Sequence, residues 1–321
     1  MSLLDSYNQC VASRPIGANT ASSSTTLNVP PLPSSHEAQQ TNGTTKTEDV
    51  TPGSKPDLID LTERQRPGGE TTITMTAALN LPRKDISRYS EYGLRVVRKL
   101  NKDGKSIGTD LFISSPHVQA ALRETLSSYA FINLAADPIV IPKPYAPLFH
   151  YRKELRDYTE HAERSDDEKR HLKVLFDQFY EPYLGETERI YLDDIPKGRV
   201  RFEYLWTLFR AEDDVLHHTE HYRELQRVMG CETTAVGESE VFAIYTWRWG
   251  YNAGKFGPCS ETLIIPKFTS TREIHQLSSF PLKLLHQNEQ DKIFESFIKR
   301  GRRWKEFTKP THQAYDGEHS C

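Results

Sequence analysis

The sequence predicts an α+β fold: antiparallel sheets with hairpins packed against several helices, preceded by a long disordered N-terminal tail. Three observations carry this reading. Residues 1–85 are dominated by Ser, Thr, Pro, Asn and Gly, as in Ala21–Thr26 and Pro30–Ser35. Between Leu148 and Phe209 apolar residues recur every three or four positions, the helical period. After Arg210 the spacing falls to two, as in half-buried strands. Helices and strands are segregated along the chain rather than alternating, which favours α+β over α/β.

The tail holds too little apolar surface to offset the entropy of ordering it. One island interrupts it, Asp57-Leu58-Ile59-Asp60-Leu61-Thr62-Glu63. Folding is expected to begin near Tyr89, in a single domain over residues 86–317 followed by a stub at 318–321. Leu94–Leu100 and Ile107–Ser114 read as strands joined by the hairpin signal Asn101-Lys102-Asp103-Gly104. Ser115-Pro116 then supplies an N-cap and a proline at the first helical position. Ile139-Val140-Ile141 reads as a short buried strand within a Pro-rich connection.

Leu148–Ala162 and Asp166–Tyr180 read as helices, the second opened by the capping box of Ser165 and Glu168. Pro182 is expected to end it. Phe202, Leu205, Trp206 and Phe209 repeat the pattern in a shorter helix. Val215–Thr219, Glu224–Glu232, Glu240–Gly250 and Ser260–Ile265 read as an antiparallel set of strands. The last helix runs from about Glu289 to Phe307, with Ile293, Phe294, Phe297, Ile298 and Trp304 on its buried face. The expected core includes Trp206, Trp247, Trp249, Phe268, Phe280, Phe294, Phe297 and Trp304, with Gly254 and Gly257 setting a hairpin turn.

Composition excludes several classes. The net charge of −3 argues against attraction of the whole chain to nucleic acid, though not against a local basic patch. Cys10, Cys231, Cys259 and Cys321 stand far apart, as in a reduced intracellular protein, nuclear or cytoplasmic. The N-terminus has no signal-peptide pattern, and no window reaches the roughly 18 apolar residues of a membrane span.

Each candidate site in the sequence also has a simpler explanation. Gly104-Lys105-Ser106 lacks the glycine a phosphate loop needs, Lys99 standing in its place. Gly254-Lys255-Phe256 has no hydroxyl for a magnesium ion. His217, His218 and His221 would bind zinc only if His217 and His221 shared a helical face, and the pattern there is strand-to-turn. Asp193-Asp194, Asp166-Asp167-Glu168 and Asp213-Asp214 read as surface acids. No nucleophile elbow occurs.

Two segments suggest binding. Leu58, Ile59, Asp60, Leu61 and Thr62 resemble the motif by which disordered tails add a strand to the ubiquitin-like modifier SUMO. Lys299, Arg300, Arg302, Arg303 and Lys305 surround Trp304 and could track a phosphate backbone while the indole stacks on a base. The simpler account buries Trp304 and sets the cations against the helix dipole.

Several runs carry a family resemblance: Phe202-x-x-Leu205-Trp206-x-x-Phe209, Gly250-Tyr251-x-x-Gly254-Lys255-x-Gly257, Leu263-x-Ile265-Pro266-x-Phe268, Phe280-Pro281-Leu282, Gly301-Arg302-Arg303-Trp304 and His312-x-x-Tyr315-x-Gly317. Residues 89–317 resemble the domain of unknown function found N-terminal to the ATPase module of many fungal AAA+ proteins. The stretch between Tyr180 and Val200 is shorter than is usual there. The resemblance implies an accessory domain with an ATPase downstream, and no Walker motif lies within these residues. The expectation is a non-catalytic interaction domain without catalytic residues, cofactor or metal, recruiting a protein partner, an AAA+ ATPase among the candidates. The alternatives are a nucleic-acid-binding module and a fragment of a longer ATPase.

Overall fold

The computed structural model describes residues 51–65, 71–75, 89–126, 129, 131–161, 163–218, 222–252 and 255–306. Two five-stranded sheets and a set of helices form it, and the α+β expectation holds. The first sheet contains β1 (Lys55–Gln65), β2 (Thr71–Met75), β3 (Tyr92–Leu100), β4 (Ser106–Ile113) and β5 (Ile139–Pro142), in the order β2-β1-β3-β4-β5. All its pairs are antiparallel except β1 with β3. The β3–β4 hairpin forms where Asn101-Lys102-Asp103-Gly104 predicted it. The Asn101 side chain accepts from the Asp103 and Lys105 amides, and Gly104 adopts φ +76°.

β1 corrects two expectations. Residues 51–65 and 71–75 are folded, so the ordered part begins well before Tyr89; residues 1–50 lie outside the described residues. Leu58–Thr62 pairs along its length with β3, Leu61 and Thr62 pair with β2 as well, and Ile59 and Leu61 are buried. Strand addition needs a free backbone edge and side chains that can enter a groove; here one edge of the segment is taken by β3, and Ile59 and Leu61 are turned into the protein. The alternation of Ile59 and Leu61 with Asp60 and Thr62 is the strand signal that composition masked.

α1 (Pro116–Thr125) starts as predicted, the Ser115 hydroxyl accepting from the Val118 amide at 3.2 Å. The expected Leu148–Ala162 helix is split into α2 (Ala146–His150) and α3 (Arg152–Glu160) at Tyr151, whose φ −105° and ψ 17° leave the helical region. α4 (Asp166–Val174) carries the predicted capping box. Pro182 does not stop the chain. A π-helical turn, Leu175–Tyr180, widens the helix, with the Glu181 amide bonded to Phe176. It leads into α5 (Glu181–Asp194), where Pro182 falls among the first positions and its missing N–H costs nothing.

The second sheet contains β7 (Asp214–His218), β8 (Arg223–Val236), β9 (Ser239–Asn252), β10 (Lys255–Pro266) and β12 (Ser279–Pro281), ordered β10-β9-β8-β7-β12 and antiparallel throughout. The short strands β6 (Arg199–Arg201) and β11 (Thr271–Glu273) pair separately. Phe202–Thr207 is a 3₁₀ turn rather than an α-helix. α6 (Gln287–Glu306) closes the described fold. Gly254 lies outside the described residues, and Gly257 sits within β10 opposite Gly250, not in the turn.

Each sheet has its own apolar core, and Tyr191 and Trp206 pack against both. Phe268 and Phe280 are buried as expected, and Phe294 and Phe297 border the second core. Trp249, Ile298 and Trp304 are not buried, being 62%, 52% and 41% exposed. No described helix is long and apolar enough to cross a membrane.

Candidate functional site

Because side chains alternate along a strand, the register of β8, β9 and β10 sorts the second sheet into two faces. One face carries Val228, Phe242, Ile244, Leu263 and Ile265, all buried in the second core. Towards the other end of the strands this same face turns polar. Gln226 donates from Nε2 to Glu261 at 2.9 Å and to Glu224 at 3.1 Å. The buried Thr246 hydroxyl donates to Gln226 Oε1 at 2.5 Å. Arg248 Nε lies 3.3 Å from Glu261 and 3.6 Å from Glu224. The two carboxylates therefore converge on an amide and a guanidinium, and the cluster closes on itself. That arrangement braces three strands; it does not aim a base at open space.

The opposite face of β9 carries Tyr245, Trp247 and Trp249. Tyr245 donates its phenol to Glu232 at 2.5 Å, and the Trp247 and Trp249 rings meet edge-on at 6.2 Å. Phe131 comes over from the loop after α1, 5.9 Å from the Tyr245 ring. Gly230 makes room for it: a Cβ there would lie 1.9 Å from the Phe131 ring. The tryptophans miss the core because they alternate with Thr246 and Arg248, which take the inner face. The result is an aromatic row along one strand, open at Trp249.

The sequence-predicted site residues separate. His217 and His218 are neighbours on β7 and so point to opposite faces. His217 Nδ1 lies 2.9 Å from Ser279 Oγ, and His218 packs edge-on to Phe280 at 5.9 Å. His221 lies outside the described residues. Among the described residues no group of three His, Cys, Asp or Glu side chains is placed to hold a metal.

The basic run forms the last turns of α6. Arg300 Nη1 donates to the Arg223 carbonyl at 2.9 Å and its guanidinium lies 4.3 Å over the Phe297 ring. Lys299, Arg302, Arg303 and Lys305 are exposed. The buried stripe expected to include Ile298 and Trp304 ends at Phe297 instead, because α6 leaves the core beyond that turn.

Residues 191–286 match the family model described as a domain of unknown function (DUF7025). No curated protein and no solved structure matches the chain. The matched span runs from Tyr191, which touches both cores, to the residue before α6. It contains β7 to β10 and β12, hence both faces of the second sheet.

Buried titratable groups lie around the first core. Glu188 accepts from Arg152 at 2.8 Å and from Arg156 at 2.9 Å. Burial works to raise its carboxyl, but the two arginines overturn that and bring it down to about 2. His150 is pushed down to about 3 by burial, and its Nε2 donates to the Trp206 carbonyl at 3.0 Å. Sequence reasoning missed the Glu224, Gln226, Arg248 and Glu261 cluster. Its signal was polar residues at spacing two on neighbouring strands.

Proposed function

We propose that this chain is a non-catalytic interaction domain of the accessory type that precedes the ATPase in fungal AAA+ proteins, recruiting a partner or substrate for such a motor. One observation carries the reading: the aromatic row Tyr245, Trp247 and Trp249 on the outer face of β9, with Trp249 62% exposed. Exposed aromatic side chains held on a rigid strand mark recognition surfaces, since tryptophan gives large contact area at low entropic cost. The family match supports the reading by spanning this sheet, as does the self-contained hydrogen bonding of the inner-face polar cluster.

The test compares the full chain with Trp247→Ala and Trp249→Ala in quantitative affinity capture followed by reconstitution from purified components. A binding partner retained by the native chain and lost from both variants supports the proposal. Equal capture by all three overturns it. Turnover of ATP by the purified chain overturns the non-catalytic part.

A further inference from the structure

β10 lies at the edge of the second sheet, and among the described residues no strand pairs with its outer side. Its register with β9 runs without a shift from Lys255 to Pro266. At the next pair in that register the Lys267 amide donates to the Glu240 carbonyl at 3.2 Å. Each residue of an antiparallel strand turns its N–H and C=O to one side, and the next residue turns them to the other. Odd-numbered residues of β10 therefore face β9, and even-numbered residues face outwards. The open row is Pro258, Ser260, Thr262, Ile264 and Pro266. The two prolines have no N–H to offer, so between them the free donors belong to Ser260, Thr262 and Ile264.

These positions are symmetric about Thr262, with Ser260 and Ile264 on either side and then a proline at each end. An identical strand laid antiparallel about Thr262 pairs Thr262 with Thr262, Ser260 with Ile264 and Pro258 with Pro266. Every outward amide between the prolines then meets a carbonyl, giving about six backbone hydrogen bonds. The residues without donors face each other at the rims, where water serves their carbonyls. Sliding the copies by one pair either way sets a proline against Ile264 or Ser260 and leaves carbonyls unmatched inside the ladder. One of those slides also sets Glu261 against Glu261, a like-charge pair. In the symmetric register Glu261 meets Leu263 instead.

Side chains agree with the backbone. Ser260 is paired with Trp247 and Pro258 with Trp249, so the even-numbered side chains share the face of the aromatic row. Ile264 is 46% exposed there and Trp249 62%, and Pro258, Ser260 and Pro266 are exposed as well. Across the two-fold axis Ile264 of one copy stands beside Ser260 of the other, with Trp247 on the strand behind. Pro266 likewise stands beside Pro258, with Trp249 behind it. The exposed apolar residues of the two copies thus meet in continuous rows.

We infer that β10 pairs with β10 of a second copy of this chain about Thr262, joining two five-stranded sheets edge to edge. This self-association goes beyond partner recruitment and does not depend on it. The test is sedimentation velocity of the full chain from about 1 to 200 μM, the range in which a weak interface dissociates. A reversible monomer–dimer equilibrium is expected. Thr262→Pro removes the central outward donor, which the chain's own sheet does not use, and should raise the dissociation constant roughly ten-fold or more. Native circular dichroism of that variant shows that it folds.

Cysteine variants read the register independently, in a background with Cys10, Cys259 and Cys321 changed to Ser. Under mild oxidation Thr262→Cys should form an intermolecular disulfide, because facing residues stand about 5.5 Å apart. Ser260→Cys alone should not, since its two copies are offset by roughly 13 Å along the ladder. Ser260→Cys mixed with Ile264→Cys should. A monomer at every concentration, a dimer indifferent to Thr262→Pro, open-ended aggregates, or a disulfide from Ser260→Cys alone would each overturn the inference. If the chain stays monomeric while a protein partner is still lost with Trp249→Ala, this inference falls and the interaction-domain reading stands.

Discussion

The Tyr183 phenol donates to the Asp60 carboxylate at 3.0 Å, joining α5 to β1 across 123 positions of sequence. A segment whose surroundings read as a flexible tail is thereby fastened to the helical layer. Leu61, 1% exposed in the same strand, gives the sharper test. Leu61→Asp buries an unpaired carboxylate and should cost on the order of 3 kcal/mol or more, while Tyr183→Phe should cost about 1 kcal/mol. Urea denaturation at neutral pH checks both, and equal midpoints for all three proteins would show β1 to be dispensable.

Gly53 leads into β1 with φ +69°, and a Cβ there would lie 2.0 Å from the Ser114 carbonyl oxygen, a backbone atom that cannot swing away. Gly53→Ala is expected to lose roughly 2–4 kcal/mol through strain and displacement together. Thermal unfolding of the variant reads this directly, and a midpoint within a degree of the native protein's would contradict it.

The Arg152–Glu188–Arg156 group should dominate part of the acid response. Glu188 is depressed from 4.5 to about 2, so its contribution is whole above pH 4.5 and drains as pH falls towards 2. Glu188→Gln should flatten stability against pH over that interval. It should also cost roughly 3 kcal/mol at neutral pH, because the buried Arg152 loses its counter-charge. Denaturation midpoints collected between pH 2 and 7 decide the matter.

Thiol chemistry should distinguish two cysteines on the strands either side of β9. Cys259 is exposed, whereas burial pushes the Cys231 thiol up to about 12. In a Cys10→Ser, Cys321→Ser background at pH 8, a disulfide reagent should titrate one group in the native protein and the second only with denaturant. Rapid release of two equivalents would place Cys231 at the surface.

Much of this fold was legible. Ser115-Pro116, the Ser165 and Glu168 box and the Asn101–Gly104 turn are local signals, satisfied by atoms a few residues away, and each formed where expected. Errors arose where distant contacts decide. β1 is stable only because β2 and β3 flank it, and no window of sequence contains all three. Pro182 was read as a stop because the widened turn ahead of it has no residue signature. Trp249 was assigned to the core on hydrophobicity, and Trp304 on its helical spacing from Ile293 and Phe297. Period two already placed Trp249 on the same face as Tyr245, but which face meets the core depends on the rest of the sheet. The polar cluster on the inner face needed three strands in register before its members met.

The position of β1 between β2 and β3 has a consequence for gene expression. Met75 closes β2, so a polypeptide initiated there would retain every described helix and the whole second sheet yet leave one flank of β3 bare. Val96 and Val97 would then lie along an open row of amide donors and acceptors, which favours pairing with an identical molecule and growth into aggregates. Fidelity of the start codon would in that sense act as a chaperone for this domain.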